Sequence, residues 1–242
     1  MMKRWTAAIV FATCLTAGPA SGFNKYLVIP SEAEVKRSPA HQYANMSNDQ
    51  AFAELQQRRV KYHREPGGVR GVRAPIRLDG AINGVFVHSV LPAKERPGTP
   101  FEILDARLAL SLYDLAKVLK SHDIVEVVHF TMYRPPHTHR NDPNYAQTRH
   151  PGGMAIDLGA LKKRNGDWLA VGPHWQGKLG AKTCGIGARK LLRRRARELI
   201  SIACEVADQR IFHYMLTPHY DEPHADHWHL EIKPKTRWFL IN

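Results

Sequence analysis

The sequence has no long apolar run and is short of acidic residues. Its 242 residues contain 22 Asp and Glu against 35 Lys and Arg, which gives a formal net charge of +13. A membrane-spanning helix needs about 20 consecutive apolar residues, and the apolar run of residues 5–15 is shorter. The sequence therefore argues against a transmembrane segment, and its basic charge favours anionic partners.

Other absences narrow the chemistry. No Gly-x-Ser-x-Gly motif occurs, so a serine nucleophile at a strand-to-helix turn is not expected. The sequence has no internal repeat or low-complexity tract. It also lacks a nucleic-acid recognition motif, and we expect no nucleic-acid partner. A hydrophobic content of 43% is ordinary for a globular protein, and the length suits one domain with a small extension.

The first 22 residues have the composition of a secretory signal peptide. Lys3 and Arg4 precede the apolar residues 5–15, and Ala20-Ser21-Gly22 offers small residues at a cleavage site. A retained membrane anchor and a lipoprotein modified at Cys14 are the alternatives. Cleavage predicts a periplasmic or secreted protein. Residues 23–74 are then expected to form a loosely organised N-terminal extension, and residues 75–242 the main domain.

Cysteine is scarce, with three in the whole chain. Removal of the signal peptide would leave Cys184 and Cys204. Two cysteines in an oxidising compartment often pair, and this bond would close a loop of about 20 residues and add ~3 kcal/mol. The alternative is a pair of buried free thiols.

Apolar periodicity and turn residues predict the main helices and strands. Helices are expected over residues 47–59, 99–120 and 188–207, and strands over residues 75–78, 85–91, 123–133, 154–158 and 211–216. The turn signals Asp79-Gly80 and Asn83-Gly84 predict a hairpin of the first two strands, and Asn165-Gly166 predicts another hairpin. The basic start of the last helix can face solvent or contact an anionic cell wall.

Two short motifs combine metal-ligand residues with strand-forming residues. The first runs from His150 to Asp157, and the second contains His227 and His229. Residues two apart on a strand point to one face. Two antiparallel strands side by side could therefore offer His150, Asp157 and His229 to one metal ion, with an open position for water, as in catalytic zinc sites. His137 and His139 are a weaker second pair, because they lack a carboxylate at a comparable spacing.

The pattern His150-x-x-Gly-x-Ala-x-Asp157, followed by His224-x-x-His227-x-His229, resembles a superfamily of zinc peptidases that cut peptidoglycan cross-links. The superfamily includes D-Ala-D-Ala metallopeptidases, the lysostaphin type and zinc-binding Hedgehog domains. The triple histidine is most similar to penicillin-insensitive murein endopeptidases, and bacterial extensin-like C-terminal domains look like a second relative. The resemblance covers residues 100–235. Thr148 stands where many members carry Ser.

The resemblance implies roles for further residues. His227 would be the general base, His224 would orient that base or stabilise the oxyanion, and Arg134 would contact the substrate. A loop-capping ion pair is the alternative for Arg134. Asp226 is a rival base, although on a strand it would point away. Glu231 shares the face of the two strand histidines and could support a ligand.

These expectations combine into one hypothesis. We expect an α+β fold with a mostly antiparallel sheet, flanking helices and a zinc site on the open sheet face. Zinc suits histidine and carboxylate ligands and hydrolytic chemistry. The resemblance implies a Zn²⁺ hydrolase that cleaves peptidoglycan peptides at D-Ala–diamino acid bonds. The alternatives are a non-catalytic zinc-containing wall-binding module and a basic nucleic-acid binder, the latter disfavoured by secretion.

Overall fold

A computed structural model describes residues 26–136 and 149–242. Its helices are α1 Glu32–Arg37, α2 Pro39–Ala44, α3 Asn48–Gln57, α4 Ala106–Ser121, α5 Val171–His174 and α6 Arg194–Asp208. Its strands are β1 Leu27–Val28, β2 Tyr62–Arg64, β3 Pro75–Leu78, β4 Phe86–Ser89, β5 Leu104–Asp105, β6 Ile124–His129, β7 Ala155–Lys163, β8 Trp168–Ala170, β9 Tyr214–Leu216, β10 Trp228–Glu231 and β11 Phe239–Ile241. The predicted α+β class is confirmed.

The large sheet is mostly antiparallel. Its strands lie in the order β1-β11-β9-β10-β7-β6-β4, and β8 pairs with β7. The pairs β4–β6 and β9–β11 are parallel. The antiparallel neighbours β7 and β10 lie near the middle of the sheet, so their backbone groups are paired on both sides and their side chains have fixed positions.

The hairpin predicted for residues 75–91 is wrong. Strand β3 lies in a separate sheet between β2 and β5, whereas β4 pairs in parallel with β6. The Asn83-Gly84 turn does form, with φ values of 47° and 84°, but it closes only an isolated bridge between Ile82 and Val85. A turn signal specifies local geometry and not the sheet that each flanking strand joins.

Helix α4 begins later than predicted. Thr99 caps only a short 3₁₀ helix at Pro100–Glu102, and β5 follows before the helix starts. The N-cap of α4 is Asp105, whose side chain accepts a hydrogen bond from the backbone N–H of Arg107. The chain therefore pairs with β3 before it turns into the helix.

Residues 26–74 are not loosely organised. The helices α1, α2 and α3 place Val35, Tyr43, Ala51 and Leu55 in the same core cluster as the buried face of α4. The predicted helix of residues 47–59 is confirmed as α3, with Ser47 as its cap. This N-terminal segment therefore covers one side of the main core.

The helix predicted over residues 188–207 begins only at Arg194. The preceding residues follow an irregular path, in which the side-chain oxygen of Gln176 accepts hydrogen bonds from the backbone N–H groups of Leu192 and Arg193 at 3.3 and 3.2 Å. The predicted disulfide between Cys184 and Cys204 is present, and it ties this segment to the middle of α6.

The hairpin predicted at Asn165-Gly166 is confirmed by the antiparallel pairing of β7 and β8. Within residues 26–136 and 149–242, no helix is long and apolar enough to cross a membrane. The predicted signal peptide, the His137–His139 pair and Thr148 lie outside the described residues.

Candidate metal centre

The pairing of β7 with β10 brings the two sequence motifs together. Asp157 and His229 are directly opposite each other in the antiparallel register, as the sequence predicted. Side chains alternate along a strand, so Asp157, His229 and Glu231 share one face. Their neighbours on the other face belong to the core that the helices cover: Ile156, Leu158, Trp228 and Leu230. The site therefore lies on the sheet face away from the helices.

A tight turn places His150 above the start of β7. His150–Gly152 form a 3₁₀ turn, and Gly153 follows with φ of 63°. A Cβ atom at Gly153 would lie 2.8 Å from the backbone nitrogen of Asp105. Glycine is required here by both the left-handed backbone and the close approach, which explains the Gly in the first motif.

Three histidine nitrogens converge on one carboxylate oxygen. Oδ1 of Asp157 lies 3.1 Å from Nε2 of His150, 3.0 Å from Nδ1 of His229 and 3.4 Å from Nε2 of His227. One ligand atom from each of the three residues His150, Asp157 and His229 lies within 4.8 Å of the others, and all three residues are buried. This group can hold a metal ion.

Outer partners orient the two imidazole rings. Nδ1 of His150 lies 3.3 Å from the carbonyl oxygen of Met132, which can only accept a hydrogen bond. Nε2 of His229 lies 3.3 Å from the carboxylate of Glu231. When these outer nitrogens carry the protons, Nε2 of His150 and Nδ1 of His229 present lone pairs toward Asp157, the arrangement that metal-binding histidines require.

The electrostatics of the cluster favour a cation. Burial raises the pKa of Asp157, but hydrogen bonds from the three neighbouring histidines outweigh it and hold that pKa far below its ordinary range. Burial lowers the pKa of His229, but Asp157 and Glu231 outweigh it and raise the pKa to about 9. The negative charge of Asp157 and Glu231 thus stabilises a positive charge at His229. A bound metal ion would take the place of the proton on that histidine. The residues present therefore fit a metal ion.

His227 lies just before β10 and contacts Asp226. Its Nδ1 is 2.7 Å from Oδ1 of Asp226, on the side of the ring away from the metal-binding group. Asp226 is 65% exposed and does not line the cleft, which agrees with the expectation that it points away from the site. Burial lowers the pKa of His227, but Asp157 and Asp226 outweigh it and raise the pKa. Asp226 therefore fixes the ring so that Nε2 faces the metal ligands.

His224 lies beside the cluster, at the end of the 3₁₀ turn Glu222–His224. Its ring centre lies 5.3 Å from that of His227 and 5.7 Å from that of His229. Nδ1 of His224 hydrogen-bonds to Asp221. Burial lowers the pKa of His224 more than Asp221 raises it. Asp221 is a site residue that sequence reasoning missed, although it stands three residues before His224.

Two arginines flank the cluster. Nη2 of Arg134 lies 3.4 Å from Oδ2 of Asp157, and Nε of Arg149 lies 3.8 Å from Oε2 of Glu231. Each arginine side chain is 57% exposed, so both can also reach a ligand. Sequence reasoning proposed Arg134 but missed Arg149, whose position directly before His150 and φ of 54° hold it at the site.

A single cleft contains most of these groups. Its volume is about 600 Å³, and its lining includes the six predicted site residues together with Arg149, Tyr214, Tyr220 and Asp221. The predicted residues are His150, Asp157, His224, His227, His229 and Arg134. The structure therefore brings every one of them to one open site, with the buried metal-binding group at its base and the arginines at its side.

Comparison with known proteins gives one family. The model of the family described as extensin-like protein C-terminus matches residues 102–240. This range is more than half of the chain and contains every residue of the site. No curated protein and no solved structure gives a significant match. The chain therefore belongs to the extensin-like protein C-terminus family.

Proposed function

We propose that this protein is a zinc-dependent hydrolase that cleaves peptide bonds of peptidoglycan cross-links, between D-Ala and a diamino acid. The observation that supports this most is the position of His227. Its Nε2 faces the metal-binding group, 3.4 Å from Asp157, while Asp226 holds its other nitrogen. A site that only stores a metal ion has no need of an oriented base in an open cleft.

Zinc is the proposed metal because two imidazoles and one carboxylate form a common zinc ligand set. His150, Asp157 and His229 would hold it. When bound, zinc supplies Lewis-acid chemistry that polarises a carbonyl and makes water more acidic. The Met132 carbonyl and the Glu231 carboxylate keep the ligand nitrogens turned inward.

His227 is the proposed general base and acid. With its proton on Nδ1 toward Asp226, its Nε2 can accept a proton from the attacking water. The resulting imidazolium is stabilised by Asp226, and it can return the proton from Nε2 to the leaving amine. The Asp226–His227 pair therefore provides both halves of the proton transfer that amide hydrolysis requires.

His224 and the arginines complete the proposed site. Asp221 accepts the proton on Nδ1 of His224, so Nε2 of His224 can donate a hydrogen bond to charge that develops on the carbonyl oxygen when the ring carries both protons. Arg134 and Arg149 can grip carboxylates with paired hydrogen bonds. Peptide stems of peptidoglycan carry such carboxylates on D-Ala and on diamino acids.

The cellular context supports a wall substrate. The family and the Cys184–Cys204 disulfide indicate a cell-wall-related module of an extracellular or envelope protein. We propose a periplasmic or secreted location, with residues 1–22 as a cleaved signal peptide. The bond type rests on the similarity to murein endopeptidases described for the sequence motifs.

The test uses the chain that begins at residue 23 and muropeptide dimers, with product masses and zinc content measured together. We expect about one zinc ion per chain, as for a single three-ligand site, and monomer products that disappear with a chelator. His229→Ala should abolish zinc binding and cleavage. His227→Gln should retain the zinc ion and lower the rate by about 10²-fold or more, the usual contribution of a general base.

A matched control is His63→Gln, because His63 is 54% exposed and, among residues 26–136 and 149–242, its one ion-pair partner is Asp79. It should leave zinc content and rate unchanged. If His227→Gln cleaves as fast as the unaltered chain, the catalytic assignment is wrong. If the zinc-loaded chain binds purified cell walls but cleaves nothing, the function is that of a wall-binding module, which the family name also favours.

A further inference from the structure

A basic segment lies outside the proposed active site. Residues 177–197, called the basic segment below, contain no acidic residue. The segment's cationic residues are Lys178, Lys182, Arg189, Lys190, Arg193, Arg194, Arg195 and Arg197, and all of them are exposed. The proposed hydrolysis uses none of these side chains.

Most of these charges are not neutralised within the protein. In the part of the chain that the structure describes, Arg194 is the only cation of the basic segment with a carboxylate within 4 Å. Its partners are Asp167 at 3.7 Å and Glu198 at 4.0 Å. The other seven cationic side chains form no ion pair among the described residues. Like charges held close together repel each other, and an external anionic surface would relieve that repulsion.

The start of α6 carries positive charge where the helix dipole disfavours it. Its N-cap is Arg193, which makes no side-chain capping hydrogen bond, and its first turn has no acidic residue. Arg194, Arg195 and Arg197 stand instead at the positive end of the helix dipole. A sequence that breaks local rules in this way is expected mainly where a surface has a function.

The same segment exposes aliphatic side chains. Leu179 is 54% exposed, Leu192 is 78% exposed and Ile186 is 97% exposed. Each of these three residues stands within three residues of a cation in the sequence. Ile186 also contacts a cation in the structure, because Nζ of Lys182 donates a hydrogen bond to its backbone carbonyl at 2.7 Å. Lysine and arginine interleaved with exposed aliphatic residues are typical of surfaces that lie in a membrane interface.

The aliphatic residues are held in this exposed position. The Cys184–Cys204 disulfide fixes the loop that carries Ile186, and Gln176 accepts hydrogen bonds from the backbone of Leu192 and Arg193. A preformed surface loses less conformational entropy on binding than a flexible one.

We propose that the basic segment binds the surface of an anionic phospholipid bilayer. Its cations would lie among the headgroups, and Leu179, Ile186 and Leu192 would enter the boundary with the acyl chains. A soluble anionic polysaccharide could attract the cations equally well, but it has no apolar interior to receive an exposed isoleucine. The aliphatic residues therefore favour the bilayer.

The segment adjoins the proposed active site. A cavity of about 250 Å³ is lined by Lys178, Lys182, Arg189 and His219, and the next residue, Tyr220, lines the catalytic cleft. Binding to a bilayer through the basic segment would thus hold the cleft near the membrane surface.

The test measures binding of the chain that begins at residue 23 to vesicles by sedimentation. We expect at least about tenfold stronger binding to phosphatidylglycerol–phosphatidylcholine vesicles than to phosphatidylcholine vesicles, given the attraction of each Lys or Arg to anionic lipid. Equal binding to both vesicle types, or no binding to either, would overturn the proposal.

Two variants separate the lipid from other anions. The combined change Leu179→Ser, Ile186→Ser and Leu192→Ser should weaken vesicle binding about tenfold or more while binding to dextran sulfate stays the same. Its control is Ile29→Ser with Val90→Ser, which removes aliphatic residues 65% and 58% exposed elsewhere. If the triple variant binds vesicles as well as the unaltered chain does, the segment recognises charge alone and the bilayer proposal fails.

A second variant tests the position of the charge. Arg189→Gln, Lys190→Gln and Arg193→Gln together should weaken vesicle binding at least about tenfold. The control Lys36→Gln, Lys94→Gln and Lys120→Gln removes the same charge from exposed positions outside the segment. If both variants lose binding equally, net charge and not this segment is responsible. Circular dichroism and disulfide mass confirm that each variant is folded.

Discussion

Buried histidines in this protein have very different pKa values because their neighbours differ. Burial lowers the pKa of His213 to about 3, and no carboxylate offsets it. His229 is also buried, but Asp157 and Glu231 raise its pKa to about 9. Burial alone therefore does not decide the charge of a histidine. The contrast identifies His213 as part of the core and His229 as part of a cation site.

His213 leads to a prediction about stability and pH. Its folded-state pKa is lowered to about 3, whereas an unfolded histidine has a pKa of about 6.5. Between these values the unfolded chain binds the proton and the folded chain does not. The free energy of unfolding should therefore fall as the pH drops from 6.5 toward 3, with His213 contributing up to about 1.4 kcal/mol per pH unit. Urea denaturation at several pH values measures this slope.

The comparison variant is His213→Asn. Its amide oxygen can accept the hydrogen bond that Nδ1 of His213 takes from the backbone of Lys233 at 3.0 Å. The variant should show a shallower decrease in stability between pH 6.5 and 4.5, above the range where Glu102, with a pKa of about 2, begins to contribute. Identical slopes in the two proteins would show that His213 is not the group responsible.

At the scale of elements, a buried ion pair joins the small sheet to α4. Oδ1 and Oδ2 of Asp105 accept hydrogen bonds from Nε and Nη2 of Arg107 at 2.7 and 2.6 Å. Oδ2 also accepts one from the backbone of Ala74 at 3.0 Å. Both charged side chains are only 1% exposed. One carboxylate therefore caps α4, neutralises a buried arginine and fixes the backbone directly before the start of β3.

Asp105→Ala should be among the most destabilising single substitutions in the chain. It would leave the buried Arg107 guanidinium without a carboxylate partner, with only the Met46 carbonyl oxygen to accept a hydrogen bond from Nη1, which costs about 3–5 kcal/mol. Chemical denaturation of the purified variant measures the loss. The control is Glu32→Ala. The side chains of Glu32 and Lys36 form an ion pair and are each more than half exposed, so removal of this pair should not change stability measurably. A similar stability for both variants would contradict the role given to Asp105.

At the scale of the whole molecule, the described segments at the periphery are tied to the central core. The N-terminal helices pack against α4, β1 adds to the edge of the large sheet, and Cys184–Cys204 ties residues 176–193 to α6. The cleft and the basic segment are thus fixed relative to one framework. The proposed position of the cleft near a bilayer surface depends on this fixed relation.

Removal of the disulfide by Cys184→Ala with Cys204→Ala should lower the free energy of unfolding by about 3 kcal/mol, because the bond restricts a loop of about 20 residues in the unfolded chain. Denaturation of this double variant beside the oxidised unaltered chain measures the difference. Metal content should not change, since none of His150, Asp157 and His229, the residues that could hold a metal ion, lies in the loop. A stability loss of well under 1 kcal/mol would show that the unfolded chain is already restricted in this region.

The sequence by itself predicted which residues meet at the site. Two motifs of strand-forming and metal-ligand residues favoured a pair of antiparallel strands, so His150, Asp157 and His229 were predicted as a group, and the structure brings them together. The α+β class and α3 were likewise predicted, because strand alternation and helix capping are local properties, and the disulfide was predicted from two cysteines in an oxidising compartment.

Only the tertiary structure decided which elements pair and which outer residues complete the site. The 75–91 hairpin, the start of α4 and the start of α6 were predicted incorrectly, because strand pairing and helix starts depend on distant partners such as β2, β6 and Gln176. The roles of Arg149 and Asp221 and the contact between Asp226 and His227 escaped prediction for the same reason. Local periodicity specifies the face of an element, but the position of a side chain outside regular elements is decided by packing against the whole molecule.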